Sequence, residues 1–305
     1  MPNLLDIRRR IRSVRNTRQI TRAMQMVSAA KLRRAQEQAL AARPYAQRLA
    51  GLLAMAAGAD LDAAEAPVAA ALLARRPERR VTLVVITADK GLAGAFNLNV
   101  FKAAQQAAAE QARSGARVEY EVVGRKARDY YRRRGLPISA ETLGLFTKGV
   151  DYAVARELAA RLMRRYAAAE TDAVYSLGNE FQSVFRQQVT LRRLLPIAAE
   201  AATPGAGEPA ALPAAAAVPI EPGFEPDAAT VLAAALPRYV ETQVYRSLLE
   251  SFAAEEAARM NAMDAATKNA ADLIDELSLS MNRVRQAAIT KEIIEVVSGA
   301  AAQAG

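Results

Sequence analysis

No Gly or Pro interrupts the chain between Arg238 and Ser298. Within that stretch Met260, Met263, Thr267, Ala270, Ile274, Leu277, Met281, Val284 and Ala288 recur at alternating spacings of three and four. Such alternation is the seam of a coiled coil, in which one stripe of a helix faces a partner. At 1.5 Å per residue, a helix from Arg238 to Ser298 is a rod of roughly 90 Å. A rod of that length does not fit inside a small domain. It needs a second helix of comparable length to cover its seam.

The N-terminal segment supplies one. Leu4, Ile7, Ile11 and Val14 keep the same spacing, and the stripe continues through Thr17, Thr21, Met24 and Ser28. The pattern predicts one helix from about Asn3 to Ala57, kinked or locally broken at Pro44, with Gly58, Asp60 and Pro67 marking a frayed end. Small and weakly polar seam residues permit close approach but bury less apolar area than Leu and Ile. The pair is therefore expected to depend on a surrounding partner for rigidity.

Between the two helices the period changes. Val81–Thr87 is a β-branched run, as expected of a strand buried on both faces. Further strands are expected at Val118–Val123, Ala173–Leu177 and within Phe181–Leu195, with helices near Phe96–Arg113, Arg125–Arg134 and Tyr152–Ala168. Strand alternating with helix implies a mostly parallel sheet covered by helices. Residues Ala201–Gly223, with five Pro among Ala and Gly, read as a linker without a core of its own. The expected architecture is α/β with long helices: an antiparallel coiled coil of the terminal helices with an inserted Rossmann-like α/β domain. The expected boundaries are a coil helix over 1–57, the α/β domain over 58–200, the linker over 201–225 and the second coil helix over 226–305.

Chemistry is narrowed by what the chain lacks. It has no His, no Cys and no Trp. The usual zinc and iron–sulfur ligand sets, and Ser–His or Cys–His nucleophile pairs, cannot be assembled from it. No apolar run reaches the ~20 residues of a membrane span, and the first residues lack a secretory h-region. The formal charge of +9 is local. Arg8, Arg9, Arg10, Arg12, Arg15, Arg18, Arg22, Lys31, Arg33 and Arg34 stand against Asp6 alone, which accounts for the whole of it. A stripe of this kind suits an acidic partner: nucleic acid, lipid or a ring of carboxylates.

Other candidate sites read as structure. Gly91-Leu92-Ala93-Gly94 follows a strand and precedes a helix, but it lacks the third Gly of a dinucleotide fingerprint, and no GK[ST] occurs anywhere. It is expected to be a tight turn. Glu255-Glu256 and Asp272…Asp275-Glu276 are expected to be solvated charges on a helix, and the cluster Arg125, Lys126, Arg128, Arg132, Arg133 and Arg134 an exposed helix face.

Two blocks carry a family resemblance. One is Ile11-Arg12-Ser13-Val14-Arg15-Asn16-Thr17-Arg18-Gln19-Ile20-Thr21-Arg22-Ala23-Met24-Gln25-Met26-Val27-Ser28-Ala29-Ala30-Lys31. The other runs from Ala258-Arg259-Met260-Asn261-Ala262-Met263-Asp264 through Asn282-Arg283-Val284-Arg285-Gln286-Ala287-Ala288-Ile289-Thr290-Lys291-Glu292 to Ile294-Glu295-Val296-Val297-Ser298-Gly299-Ala300. With looser matches at Thr87–Asn97 and Leu236–Tyr245, the chain resembles the gamma subunits of F-type (F1Fo) ATP synthases over nearly its whole length. The Ala/Pro-rich stretch near Thr203–Val218 departs from the family's usual loop, and the Cys-containing insertion of chloroplast members is absent.

The resemblance implies a non-catalytic rotor shaft without cofactor or metal. It would transmit torque between a membrane c-ring and an alpha3beta3 hexamer, with the epsilon subunit as a further partner. It also implies a peripheral position on the cytoplasmic face of a bacterial plasma membrane, with no direct insertion. Rotor–stator contacts are expected at Met24, Arg259, Arg285, Gln286 and Thr290, with Met24 near Arg259, and the c-ring foot at Phe224, Glu225 and Asp227. Arg259 and Gln286, 27 residues apart, would engage levels roughly 40 Å apart. The charge-free end, Val296–Gly305, would suit a low-friction bearing. The rival reading is a basic coiled coil that binds nucleic acid. Few aromatics, and none among the arginines before Tyr45, count against it.

Overall fold

The computed structural model describes residues 4–55, 67–147, 149–197 and 227–304. In chain order the elements are α1 (Leu4–Met55), α2 (Pro67–Leu73), β1 (Arg80–Ile86), α3 (Phe96–Arg113), β2 (Arg117–Val123), α4 (Arg125–Arg133), β3 (Ile138–Thr142), a 3-10 turn at Leu145–Thr147, α5 (Tyr152–Ala167), β4 (Ala173–Phe181), β5 (Gln187–Leu195) and α6 (Ala228–Ala304). They fall into two compact units, one of Met1–Ala29 with Arg259–Gly305 and one of Ala30–Ala258.

In the first unit α1 and α6 run antiparallel. The Thr21 and Thr267 hydroxyls hydrogen-bond at 2.8 Å, and Gln25 Nε2 donates to Asp264 Oδ1 at 3.0 Å, so rising numbers on α1 meet falling numbers on α6. Nearer the start of α1, Ile7, Ile11 and Ile274 are buried together, with Val14, Leu277, Met281 and Val284 packed against them. Two seam expectations fail. Thr17 is exposed and donates to the Ser13 carbonyl at 3.1 Å, a back-bond open to any helical Thr. Ala288 is exposed; in the register that pairs Thr21 with Thr267, Leu4, the first described residue of α1, falls opposite Val284.

Neither helix is broken by its proline. α1 continues through Pro44 and α6 through Pro237. Proline deletes one backbone hydrogen bond. Around Pro44 the Ala-rich flanks keep the helix continuous, against the expected local break.

In the second unit five strands form one sheet in the order β3-β2-β1-β4-β5. The first four strands are mutually parallel, and β5 runs antiparallel to β4. β1 sits centrally and is buried from Val81 to Ile86, as its unbroken β-branched run requires. One face packs Val81, Leu83, Val85, Val122 and Leu177 against Val100, Phe101 and Ala104 of α3 and Tyr131 of α4. α5 buries Ala155, Leu158, Ala159, Leu162 and Tyr166. The strand expected within Phe181–Leu195 is β5, reached by a hairpin turn from β4, and β3, with its Ser-Ala-Glu-Thr run, had no apolar signal in the sequence.

Candidate functional site

The expected contact residues occupy distinct settings. Arg285, Gln286 and Thr290 lie on a stretch of α6 in which every residue from Arg285 to Ala300 is exposed. Thr290 Oγ1 donates to the Gln286 carbonyl at 2.9 Å, so its hydroxyl is held along the helix. Arg259 is only 7% exposed. The picture of a water-screened cation therefore describes Arg285 but not Arg259. Met24 is half-buried on α1, next to the Gln25 that reaches Asp264. Lys268 Nζ approaches Asp264 Oδ2 at 2.8 Å. That hydrogen bond, with help from Gln25, holds the Asp264 carboxyl below the usual carboxylate range. Arg8, Arg9, Arg10, Arg12, Arg15, Arg18 and Arg22 are all exposed along α1.

Phe224 and Glu225 lie outside the described residues. Asp227 is exposed and begins α6 as its N-cap. Oδ1 accepts from the Thr230 backbone N–H at 2.7 Å and Oδ2 from the Thr230 hydroxyl at 2.8 Å. These bonds, the backbone one foremost, lower its pKa.

Glu255 and Glu256 correct a second expectation. Each is 2% exposed, because residues 251–257 of α6 are buried on all sides. Lys31 of α1 comes within 3.6 Å of Glu256, and a buried carboxylate needs such partners. Asp272, Asp275 and Glu276 are exposed as expected.

The Gly91–Gly94 turn is committed to the fold. The first three N–H groups of α4 are taken in order by the residues ahead of the turn: Arg125 by Asp89 Oδ1 at 3.1 Å, Lys126 by the Ala88 carbonyl at 3.1 Å, and Ala127 by Thr87 Oγ1 at 2.9 Å. Gly124 makes this approach possible. Its φ is +92°, and a Cβ there would lie 2.1 Å from the Thr87 carbonyl oxygen. Ala88, Ala93 and Phe96 pack against Ala254 of α6, so the end of β1 is covered by the chain's own helix. Among the described residues no group of three or more His, Cys, Asp or Glu could hold a metal ion, and no helix is long and apolar enough to cross a membrane.

Two arrangements escaped the sequence. Asp89 gathers the loops at the sheet edge. Glu121, fully buried on β2, accepts from Arg161 Nε and Nη2 of α5 at 2.8 and 2.5 Å, while Arg165 meets Glu119 at 2.8 Å. Burial pushes the Glu121 carboxyl up, and Arg161 opposes that shift. The signal was present: carboxylates two apart on a strand and arginines four apart on a helix match in spacing.

Comparison with known proteins completes the picture. A family model described as ATP synthase matches residues 3–303. An "ATP synthase gamma chain" of Solibacter usitatus (strain Ellin6076) is 55% identical over 305 residues, covering 99% of each chain. One of Pelotomaculum thermopropionicum is 47% identical over 302 residues, again 99% of each. Among solved structures, a chain of the Euglena gracilis mitochondrial ATP synthase (OSCP/F1/c-ring, rotational state 3) matches with TM-score 0.66 at 18% identity, covering 98% of this chain and 94% of that one. A chain of the Tetrahymena thermophila mitochondrial ATP synthase central stalk/c-ring matches with TM-score 0.57 at 23% identity, covering 81% and 99%. At such identities the shared property is the fold, whereas the full-length relatives at about half identity carry the kinship: the chain belongs to the ATP synthase gamma-chain family.

Proposed function

We propose that this chain is the central rotor shaft of an F-type ATP synthase. It turns with the membrane c-ring and epsilon subunit, and it drives the alpha3beta3 hexamer through its conformations in sequence. It performs no bond-making step itself. ATP synthesis or hydrolysis takes place on the hexamer, and the chain works as a peripheral subunit on the cytoplasmic face of a bacterial plasma membrane. The observation that carries this reading is the end-to-end match to gamma chains together with the antiparallel pair of α1 and α6.

The surface supports the role physically. A shaft that visits three equivalent positions must bind none of them tightly. Exposed ion pairs contribute about 0–1 kcal/mol each, which suits contacts made and broken every turn. Arg285, Gln286 and Thr290 form the proposed upper contact on this exposed surface; Met24 with the largely buried Arg259 is the proposed lower one. The charge-free end from Val296 turns without ion pairs to break. Phe224, Glu225 and Asp227 remain the proposed foot on the c-ring.

The test uses the absence of Cys. Ser114, exposed at the end of α3, is changed to Cys as the single thiol and carries a bead, with the matching hexamer fixed to glass. One-way rotation in thirds of a turn under ATP is the expected result. A chain that never joins the hexamer but binds DNA or RNA with steep salt dependence would overturn the reading in favour of a nucleic-acid-binding coil. Joining without rotation would leave the partner in place and remove the mechanism.

A further inference from the structure

Asp89 stands three residues beyond the end of β1, at the edge where the parallel strands end. Its carboxylate accepts three backbone N–H groups: Arg125 at 3.1 Å and Gly144 at 3.0 Å on Oδ1, and Phe146 at 3.3 Å on Oδ2. The donors come from two other loops, the one entering α4 and the one following β3. Among the described residues no salt bridge reaches the carboxylate within 4 Å, and its hydrogen bonds come from backbone N–H groups. Convergent N–H groups at the carboxyl edge of a parallel sheet are how α/β folds hold phosphate and other oxyanions. Here the negative group in that position belongs to the chain.

We propose that the loops after β2 and β3 form an oxyanion cradle whose occupant is the Asp89 carboxylate from the loop after β1, so that the chain supplies both site and ligand. Several features agree with this. Gly124 allows the second loop to close on Thr87. Leu92 holds a positive φ of 65°, a conformation an L-residue adopts at a cost, in the segment that follows Asp89. Lys126 lies over the same segment, its Cε 3.9 Å from where a Gly91 side chain would begin. The occupant has a mechanical consequence as well. Phe146, whose N–H it holds, stacks on Phe252 of α6 with ring centres 5.5 Å apart and planes 8° apart. The anion therefore fixes the loop that grips the helix.

The experiment is chemical rescue in the full chain. Asp89→Ala empties the cradle while leaving every N–H donor in place. Asp89 is half-buried, so small anions reach the position from solvent. Thermal unfolding is followed in chloride, formate and inorganic phosphate at matched ionic strength. In chloride the variant's Tm falls by roughly 5–10 °C, the loss expected for three hydrogen bonds to a charged acceptor. Formate, which has the size of the deleted group, or phosphate at about 100 mM then raises the variant by at least ~3 °C more than it raises the wild type. The difference from wild type is the readout, because phosphate strengthens burial in any folded protein.

Asp89→Asn provides the second arm. It fills the cradle without charge, so it loses Tm and gains nothing beyond wild type from either anion. Equal anion shifts in Asp89→Ala and wild type would overturn the proposal. So would equal anion gains in Asp89→Asn and Asp89→Ala. If Asp89→Ala does not fold in chloride, recovery of the fold in formate or phosphate supports the cradle, and failure in both counts against it.

Discussion

The two compact units are held by different kinds of burial. The α/β unit closes a dry core in which Leu83, Val85, Val100, Val122 and Leu177 are all but inaccessible, and Phe101, Tyr120, Tyr130 and Tyr131 stack beside them. The helical unit buries Ile7, Ile11 and Ile274 at one end, and beyond them relies on Thr21, Ser28, Ala270 and Met263. Area removed from water sets most of the favourable term. The α/β unit therefore carries its own stability. The helical unit is an interface in waiting, ordered enough to present a surface and lean enough to lean on what encloses it.

Four substitutions press on that contrast. The largest loss is expected from Arg161→Met, which leaves the buried Glu121 carboxylate without its charge partner; removing one member of such a pair costs about 3–5 kcal/mol. Burial raises the folded pKa of Glu121 above its unfolded value. Stability tied to its protonated form is present at low pH and is lost as pH rises through the folded value. Urea unfolding should therefore show a greater loss at pH 8 than at pH 5, and equal losses would show that the carboxylate finds another partner.

Next comes a matched pair of truncations. Leu83→Ala should cost about 3 kcal/mol and Ile274→Ala roughly half of that, since the looser seam can close over the gap. Hydrogen exchange separates them. Leu83→Ala should lower protection throughout β1, β2 and β4, and Ile274→Ala within α1 up to Ala29 and α6 from Arg259. A single loss of protection shared by both units would merge them into one cooperative body.

The smallest effect belongs to Asp264. Its folded pKa lies below the ordinary 3.8, chiefly through Lys268. Stability of this kind is present above the unfolded value and is lost as pH falls through the folded one. Protection of amides near Gln25, relative to the intrinsic exchange rate at each pH, should fall between pH 5 and pH 3, and Asp264→Asn should abolish that step. A wild-type profile flat across this window would show that the bond to Gln25 does not help to hold the coil.

Periodic features were the legible part of this fold. The 3-4 seam located both long helices, and the β-branched run located β1, because repeated burial of one face leaves a mark every few residues. What escaped depends on single contacts between residues far apart. β3 is half-buried and carries Ser, Glu and Thr, so no apolar alternation betrays it. Glu255 and Glu256 looked like solvated charges, since burial on all sides of α6 comes from the sheet unit and leaves no period of its own. Of the proposed contact residues, Arg285, Gln286 and Thr290 were named through the family resemblance, and they lie on an exposed stretch of α6. The cover over Arg259 could not be read from spacing, and Asp89 was hidden by the Gly-rich turn that drew attention away from its neighbour.

The unbroken run of α6 also limits how such a chain can change over generations. Deleting one residue between Arg259 and Ile274 would turn everything beyond it by about 100° and draw it back by about 1.5 Å. Ile274, Leu277 and Met281 would then leave the partner together. Point replacements pass one at a time, whereas a change of length is tolerated in steps of about seven residues, the interval that restores the phase.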